Sequence, residues 1–96
     1  MIVVYAPRAL RDLDAIEHFL KQRSEVGTRN VLATIKRAIG DLERFPRIGI
    51  PIDADGRYRM PVARYPYLIF YRLNGDTVYI LHIRHAARVP VGPAEL

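Results

Sequence analysis

The sequence has no cysteine and no long apolar run. Without cysteine there is no disulfide, no thiolate nucleophile and no cysteine-ligated zinc, and such a composition fits a reducing compartment. No segment approaches the roughly 20 apolar residues of a membrane-spanning helix, and the apolar stretch 1–6 is too short for the core of a signal peptide. We therefore expect a soluble, cytoplasmic protein with no membrane association.

Several catalytic arrangements also lack their residues. The glycines stand singly, so no glycine-rich phosphate loop is present, and Ser24 is the one serine. The three histidines, His18, His82 and His85, are not at metal-ligand spacing. We expect no metal site and no cofactor. We interpret His18 as a surface residue and His82 as a structural one.

What is present is a basic chain of 96 residues, with 15 Lys and Arg against 10 Asp and Glu, and a formal charge of +5. This length predicts one domain, which we place at residues 1–90, with residues 91–96 as a C-terminal tail. The excess charge runs along the chain and favours a polyanion or an acidic protein as partner. The alternative is that the charge serves only solubility.

The apolar pattern predicts the order β-α-α-β-β-β. Residues 2–5 form a β-branched and aromatic run, and Pro7 suits the first turn of a helix. The first helix has an apolar stripe of Leu10, Leu13, Ile16 and Leu20, widened by Ala9 and Phe19. Ser24 is a candidate cap for a second helix, whose stripe extends to Phe45 before Pro46 ends it. Residues 47–56 are rich in turn formers and predict a loop.

The last three strands are organised around Asn74-Gly75, which predicts a type I′ hairpin turn between two apolar runs. These runs favour central strands, whereas Pro61 favours an edge position for the strand that begins at Arg57. The expected fold class is α+β, a two-layer fold with a helical hairpin on one face of a mainly antiparallel sheet. The other face is expected to be at least partly open.

Arginine is the only cation in or beside the predicted sheet, because both lysines, Lys21 and Lys36, lie on the helices. The candidate contacts for a target or a partner are Arg57, Arg59, Arg72, Arg84, His85 and Arg88. Arg84 and Arg88 have an alternative role as solvated strand ends, and His85 as a partner for a backbone group. The tyrosines of the sheet are either a stacking platform for bases or ordinary cross-strand packing.

Several short motifs occur in an order that resembles a known family. They are Tyr5-Ala6-Pro7, the break at residues 45–49, the run at residues 64–72, and residues 78–88. In these the chain resembles the ParE/RelE toxin superfamily, also known as the plasmid stabilisation family, and its ParE branch more closely. The resemblance implies a RelE/ParE-like fold and a hetero-oligomer with a small acidic, ParD-like antitoxin that supplies an amphipathic helix followed by an extended segment.

The resemblance leaves two activities open, because ParE-like members are associated with inhibition of DNA gyrase and RelE-like members with ribosome-dependent cleavage of mRNA. Fold alone does not choose between them. Since arginine is a poor base, we expect a toxin that acts by binding gyrase and has no catalytic residue. If the chain is instead an endoribonuclease, its candidate catalytic residues are Arg59, Arg84 and His85. A third alternative is a basic binding module without toxicity.

Overall fold

A computed structural model describes residues 1–87. In chain order its elements are β1 (Ile2–Tyr5), α1 (Pro7–Lys21), α2 (Glu25–Arg44), β2 (Ile50–Pro51), β3 (Arg57–Pro61), β4 (Tyr67–Asn74) and β5 (Thr77–His85). The described strands form one sheet in the order β1-β5-β4-β3-β2, in which β1 is parallel to β5 and the other pairs are antiparallel. The predicted α+β fold is confirmed. Arg88 and the predicted tail lie outside the described residues.

The two helices begin at residues that favour a helix N-terminus. Pro7 opens α1, and the Ser24 hydroxyl accepts the Gly27 N–H at 3.0 Å, which confirms Ser24 as the cap of α2. The predicted stripe of α1 is wrong at Leu10 and Phe19, which are 51% and 46% exposed. The prediction for Ala9 is confirmed: it is fully buried, because it lies at the correct spacing to share a face with Leu13.

The stripe of α2 ends earlier than predicted. Val31, Ile35, Ile39 and Leu42 are buried, but Phe45 is 59% exposed. At Phe45 the backbone has left helical geometry, with φ −133° and ψ 73°. The helical spacing that would have placed this ring against the sheet therefore no longer applies, and its assignment to the stripe was wrong.

The loop at residues 47–56 contains the short strand β2, which was not predicted. Ile50 and Pro51 pair with Arg59 and Tyr58, so β3 is not the edge strand that the sequence favoured. The approach to β2 is fixed from a distance by Tyr71. Its hydroxyl donates to the Pro46 carbonyl at 2.8 Å and accepts the Gly49 N–H at 3.0 Å. Such a contact between residues far apart in sequence is invisible to local patterns.

The predicted hairpin between β4 and β5 is present, but its turn differs by one residue. Asn74 pairs with Thr77, so the two loop residues are Gly75 and Asp76. Only Gly75 of the two has a positive φ, at 62°. A glycine with positive φ at the first central position is the pattern of a type II′ turn, so the type I′ prediction was wrong.

A β-bulge interrupts the pairing of the two central strands. Tyr71 pairs with Ile80 and Phe70 pairs with His82, so Leu81 is an extra residue in β5. Because side chains alternate between the faces of a strand, the bulge changes which residues of β5 face the helices. Val78 and Ile80 belong to the core before the bulge, and Ile83 belongs to it afterwards.

The core lies between the helical hairpin and one face of the sheet. Its fully buried larger side chains are Tyr71, Ile35, Leu42, Ile69, Ile80 and Val78. Within residues 1–87, no helix has both the length and the apolar character needed to cross a membrane.

Candidate functional site

The open face is the side of the sheet turned away from the helices. Its members alternate along the strands with core residues such as Ile69 and Tyr71, and the cross-strand register aligns them in rows. On the three central strands the open face includes Arg57, Arg59, Pro61, Leu68, Phe70, Arg72, Tyr79, His82 and Arg84. Four arginines of three adjacent strands therefore share one surface.

Phe70 forms the apolar centre of the open face. It is only 6% exposed, yet it does not belong to the core cluster that includes its neighbours Ile69 and Tyr71. Its register partners are Arg59 on β3 and His82 on β5. The ring is thus buried by the side chains of the open face itself, and the arginines of this surface stand around an apolar centre.

Arg57 is neutralised within the chain. Its Nε lies 2.6 Å from Oδ2 of Asp53, and one terminal nitrogen lies 3.8 Å from Asp55. Burial alone would raise the pKa of Asp53, but the Asp55 N–H and the Arg57 guanidinium outweigh it, and the pKa lies below its ordinary value. Through these ion pairs Arg57 stabilises the conformation of the loop before β3.

Arg59 and Arg72 differ from Arg57 in having no internal counter-charge. Both are exposed, and neither forms an ion pair with any residue from 1 to 87. Exposed arginines carry a planar set of donors that suits carboxylates and phosphates. These two residues are exposed cations of the open face that have no ion pair within residues 1–87.

A second feature is a pocket of about 340 Å³ between α1 and the end of β5, here called the α1–β5 pocket. Its lining residues are Arg8, Asp12, Ala15, Ile16, Phe19, Tyr67, Ile83, Arg84 and His85. The Tyr67 and His85 rings meet edge to face, with centroids 5.4 Å apart. The pocket therefore combines apolar and aromatic walls with cations.

Asp12 joins α1 to β5 inside this pocket. Since β1 pairs with β5 only as far as Ile80, the later backbone of β5 has no neighbouring strand on that side. The Asp12 carboxylate accepts the Ile83 N–H at 3.0 Å and lies 3.9 Å from Nδ1 of His82. Arg8 approaches the same carboxylate at 3.5 Å. Asp12 thus replaces a strand partner and fixes the pocket wall.

Arg84 and His85 bring hydrogen-bond donors to the pocket. The Nε of Arg84 is buried and has no hydrogen-bond partner among residues 1–87. The Ala87 N–H donates to Nδ1 of His85 at 3.2 Å. Because that nitrogen accepts, Nε2 carries the proton of the neutral ring. The backbone role considered for His85 is therefore compatible with a second contact through Nε2.

The structure divides the sequence-predicted site residues into groups. Arg57, Arg59, Arg72 and Arg84 all belong to the open face. Among them Arg57 is held by aspartates, and Arg84 also lines the α1–β5 pocket together with His85. The three candidate catalytic residues are not gathered at the pocket, because Arg59 does not line it. Arg88 lies outside the described residues.

Sequence reasoning missed the contribution of α1 to the pocket. Arg8 and Phe19 line it, and the Arg23 guanidinium lies 4.2 Å from the centroid of the Phe19 ring. The helical stripe predicts which side of α1 is buried, but it does not tell which strand its polar margin adjoins. Asp12 at that margin was the available signal.

The tyrosines of the sheet fall on both faces. Tyr58 and Tyr71 stack at 5.1 Å with an interplanar angle of 7°, and Tyr71 is fully buried against the core. These two rings support the packing interpretation. Tyr79 is 37% exposed on the open face and is available for contact. In the described part of the chain, no three His, Cys, Asp or Glu side chains are grouped to hold a metal ion.

Comparison with known proteins finds a family and relatives that this chain resembles over most of its length. Residues 3–90 match the model of the family described as "ParE toxin of type II toxin-antitoxin system, parDE". The chain is 36% identical over 87 residues to Toxin RelE2 of Caulobacter vibrioides, covering 91% of this chain and 97% of that protein.

Solved structures share the fold. The chromosomal ParDE system from P. aeruginosa superposes with a TM-score of 0.75 at 23% identity, over 88% of this chain and 95% of that one. The toxin–antitoxin complex RelBE of E. coli gives a TM-score of 0.63 at 14% identity, over 91% and 98%.

The two-layer fold and its sheet topology thus define the class as a small α+β domain with the RelE/ParE fold. The match over residues 3–90 then assigns the family: this chain belongs to the ParE toxins of type II toxin–antitoxin systems.

Proposed function

We propose that this toxin inhibits DNA gyrase by binding it through the open face, and that an acidic, ParD-like antitoxin neutralises the toxin as a hetero-oligomer. The observation that carries the proposal is the pair of exposed arginines, Arg59 and Arg72, which have no counter-charge among residues 1–87. They flank the buried Phe70, beside the exposed ring of Tyr79. Unpaired guanidinium groups around an apolar centre suit an acidic protein surface.

The chemistry of the open face favours binding over catalysis. Its cations are arginines, which stay protonated and do not act as bases at neutral pH. Lys21 ends α1 and Lys36 lies in α2, so neither lysine belongs to a strand. His82, the histidine of this face, is buried beside Asp12. The face therefore offers anion recognition without a lysine or an exposed histidine.

The test is a supercoiling assay with purified toxin and gyrase. We expect inhibition at micromolar toxin, and we expect the double variant Arg59→Gln/Arg72→Gln to weaken inhibition at least about tenfold, because two charge-assisted contacts are lost. The matched control is Arg37→Gln, which removes an exposed arginine of α2. Unchanged gyrase activity at micromolar toxin, or equal losses in the double variant and the control, would overturn the proposal.

Ribosome-dependent mRNA cleavage is the second candidate function, and one observation favours it. Arg84 and His85 line the same pocket, and Nε2 of His85 is available for proton transfer or hydrogen bonding. Primer extension on messages from cells that express the chain would show codon-linked cuts, which His85→Gln should abolish. Cuts that persist in His85→Gln would exclude His85 as the catalytic group.

A further inference from the structure

The α1–β5 pocket has properties that differ from those of the open face. Its walls are mixed, with Ile16, Phe19 and Tyr67 among the apolar and aromatic residues beside a nearly equal polar part. Its charged lining residues are Arg8, Asp12 and Arg84. With His85 neutral, their formal charges leave a net charge of +1.

The negative charge of the pocket is already engaged by the fold. Asp12 accepts the Ile83 N–H at 3.0 Å and lies 3.5 Å from Arg8. Arg84 is different, because its buried Nε has no hydrogen-bond partner among the residues described. Arg84 lines the pocket and forms no ion pair within residues 1–87, so its charge remains available to a carboxylate that enters the pocket.

We propose that the α1–β5 pocket binds an acidic residue together with an adjacent aromatic or large aliphatic residue of the antitoxin. The carboxylate contacts Arg84 and Arg8, and the apolar side chain packs against Phe19 and Tyr67. The inference rests on the proposed neutralisation by an acidic partner and specifies where one anchor of that partner lies.

Charge and size favour a peptide anchor over a nucleic acid at this pocket. A net charge of +1 is balanced by one carboxylate, whereas a polynucleotide brings several phosphates close to the Asp12 carboxylate. A pocket of about 340 Å³ with partly apolar walls accepts a large side chain, and large side chains anchored in pockets dominate many protein interfaces.

A pair of small probes tests the pocket without the antitoxin. Acetyl-Phe-Glu-amide and acetyl-Phe-Gln-amide differ only in the charge of one side chain. Each is titrated into the full chain while NMR shifts of Tyr67 and His85 are followed. We expect millimolar binding of the glutamate peptide, at least about fivefold tighter than the glutamine peptide, because one charge-assisted contact is lost.

Variants assign the preference to the pocket cations. Arg84→Gln should abolish the preference for the glutamate peptide, and Arg8→Gln should reduce it. Arg8 is half exposed, so the second variant is expected to fold normally even if Arg84→Gln does not. The control Arg37→Gln, on α2, should retain the full preference. Equal binding of the two peptides, or shifts confined to the open face, would overturn the proposal.

A nucleotide tests whether the α1–β5 pocket binds nucleic acid in place of the peptide. Uridine 5′-monophosphate at the same concentration is expected to cause smaller shifts at Tyr67 and His85 than the glutamate peptide. Larger shifts with the nucleotide would assign the pocket to nucleic acid and overturn the peptide proposal. The assay contains neither gyrase nor antitoxin, so its failure is separate from a failure in the supercoiling assay.

Discussion

The two faces of the sheet are made by the same strands, but they follow different rules. On the face covered by the helices, Ile69, Tyr71 and Ile80 are fully buried, and even the polar atom of Tyr71 is satisfied by the backbone. On the open face, Arg59 and Arg72 are exposed and have no ion pair within residues 1–87. The covered face supplies stability, and the open face keeps binding groups that the fold does not use.

The same contrast exists within a single strand. Arg57 and Arg59 both lie on β3 and point to the same face, yet Asp53 and Asp55 neutralise only Arg57. A count of arginines therefore overstates the free charge of the open face. Whether an arginine belongs to the scaffold or to the binding surface depends on the loop carboxylates beside it.

The largest predicted difference between the faces is at neighbouring positions of β5. Ile80→Ala removes a fully buried side chain and should lower the free energy of unfolding by about 2–5 kcal/mol. Tyr79→Ala, on the open face, should cost about 1 kcal/mol. Chemical denaturation measures both. Equal losses would show that the open face contributes to stability as much as the covered one.

A second prediction concerns the loop that Tyr71 holds from the covered face. A Cβ at Gly49 would lie 2.6 Å from the Tyr71 hydroxyl and 2.9 Å from the Arg59 carbonyl oxygen. Gly49→Ala should therefore destabilise the fold by about 1–3 kcal/mol.

The control for that variant is Gly40→Ala in α2, where a Cβ would meet nothing within 4 Å. It should stabilise the protein by about 0.5–1 kcal/mol, because alanine favours the helix. The midpoint temperature of thermal denaturation should thus fall for Gly49→Ala and rise for Gly40→Ala. A neutral effect of Gly49→Ala would show that the loop yields without cost.

Alkaline pH should lower the free energy of unfolding, because it ionises the buried Tyr71 of the covered face. Burial raises the pKa of Tyr71 above its ordinary value of 10.0. The stabilisation from a raised pKa is fully present below that value and is lost as the pH rises through the folded pKa. Tyr71→Phe should cost about 1 kcal/mol at neutral pH and make the alkaline loss of stability less steep.

Denaturation from neutral pH to about pH 11 measures that slope, with Tyr79→Phe of the open face as control. Tyr5 also has a pKa raised by burial and by Glu43, so the slope should be reduced but not removed. An identical slope in Tyr71→Phe and the unaltered protein would contradict the assignment.

The smallest predicted effect separates the two arginines of β3. Arg59→Gln should change the free energy of unfolding by less than about 0.5 kcal/mol, and Arg57→Gln should cost measurably more, since it leaves Asp53 without its cation. Because the pKa of Asp53 is lowered, this stabilisation is present above the ordinary value of 3.8 and lost as the pH falls through the folded pKa. The difference between the variants should therefore vanish in acid, as denaturation across that range would show.

Much of the fold was predictable, because apolar spacing and caps act locally. The helix cap at Ser24, the hairpin after Asn74 and the central position of β4 and β5 were all correctly predicted. The type of the hairpin turn and the short strand β2 were not, since they depend on the twist of the strands and on the contact of Tyr71 with residues 46 and 49.

The candidate site was less accessible to sequence reasoning. The predicted arginines within residues 1–87 are on the sheet, but their roles as scaffold, open-face or pocket residues depend on tertiary contacts. The neutralisation of Arg57 involves Asp53 and Asp55, residues that the sequence showed only as part of a turn-rich loop. The pocket wall formed by Arg8 and Asp12 depends on α1 reaching residues more than 70 positions later in the chain.

The extra residue Leu81 decides how much of β5 can carry function. If alternation continued unbroken, His82 and Arg84 would follow Val78 and Ile80 onto the covered side, among the apolar residues of the core. The bulge lets one strand begin as part of the hydrophobic layer and end as part of a recognition surface. Shortening the strand at this point would exchange Ile83 with the polar residues on either side of it, so a single deletion would expose an apolar residue and bury two ionisable ones at once.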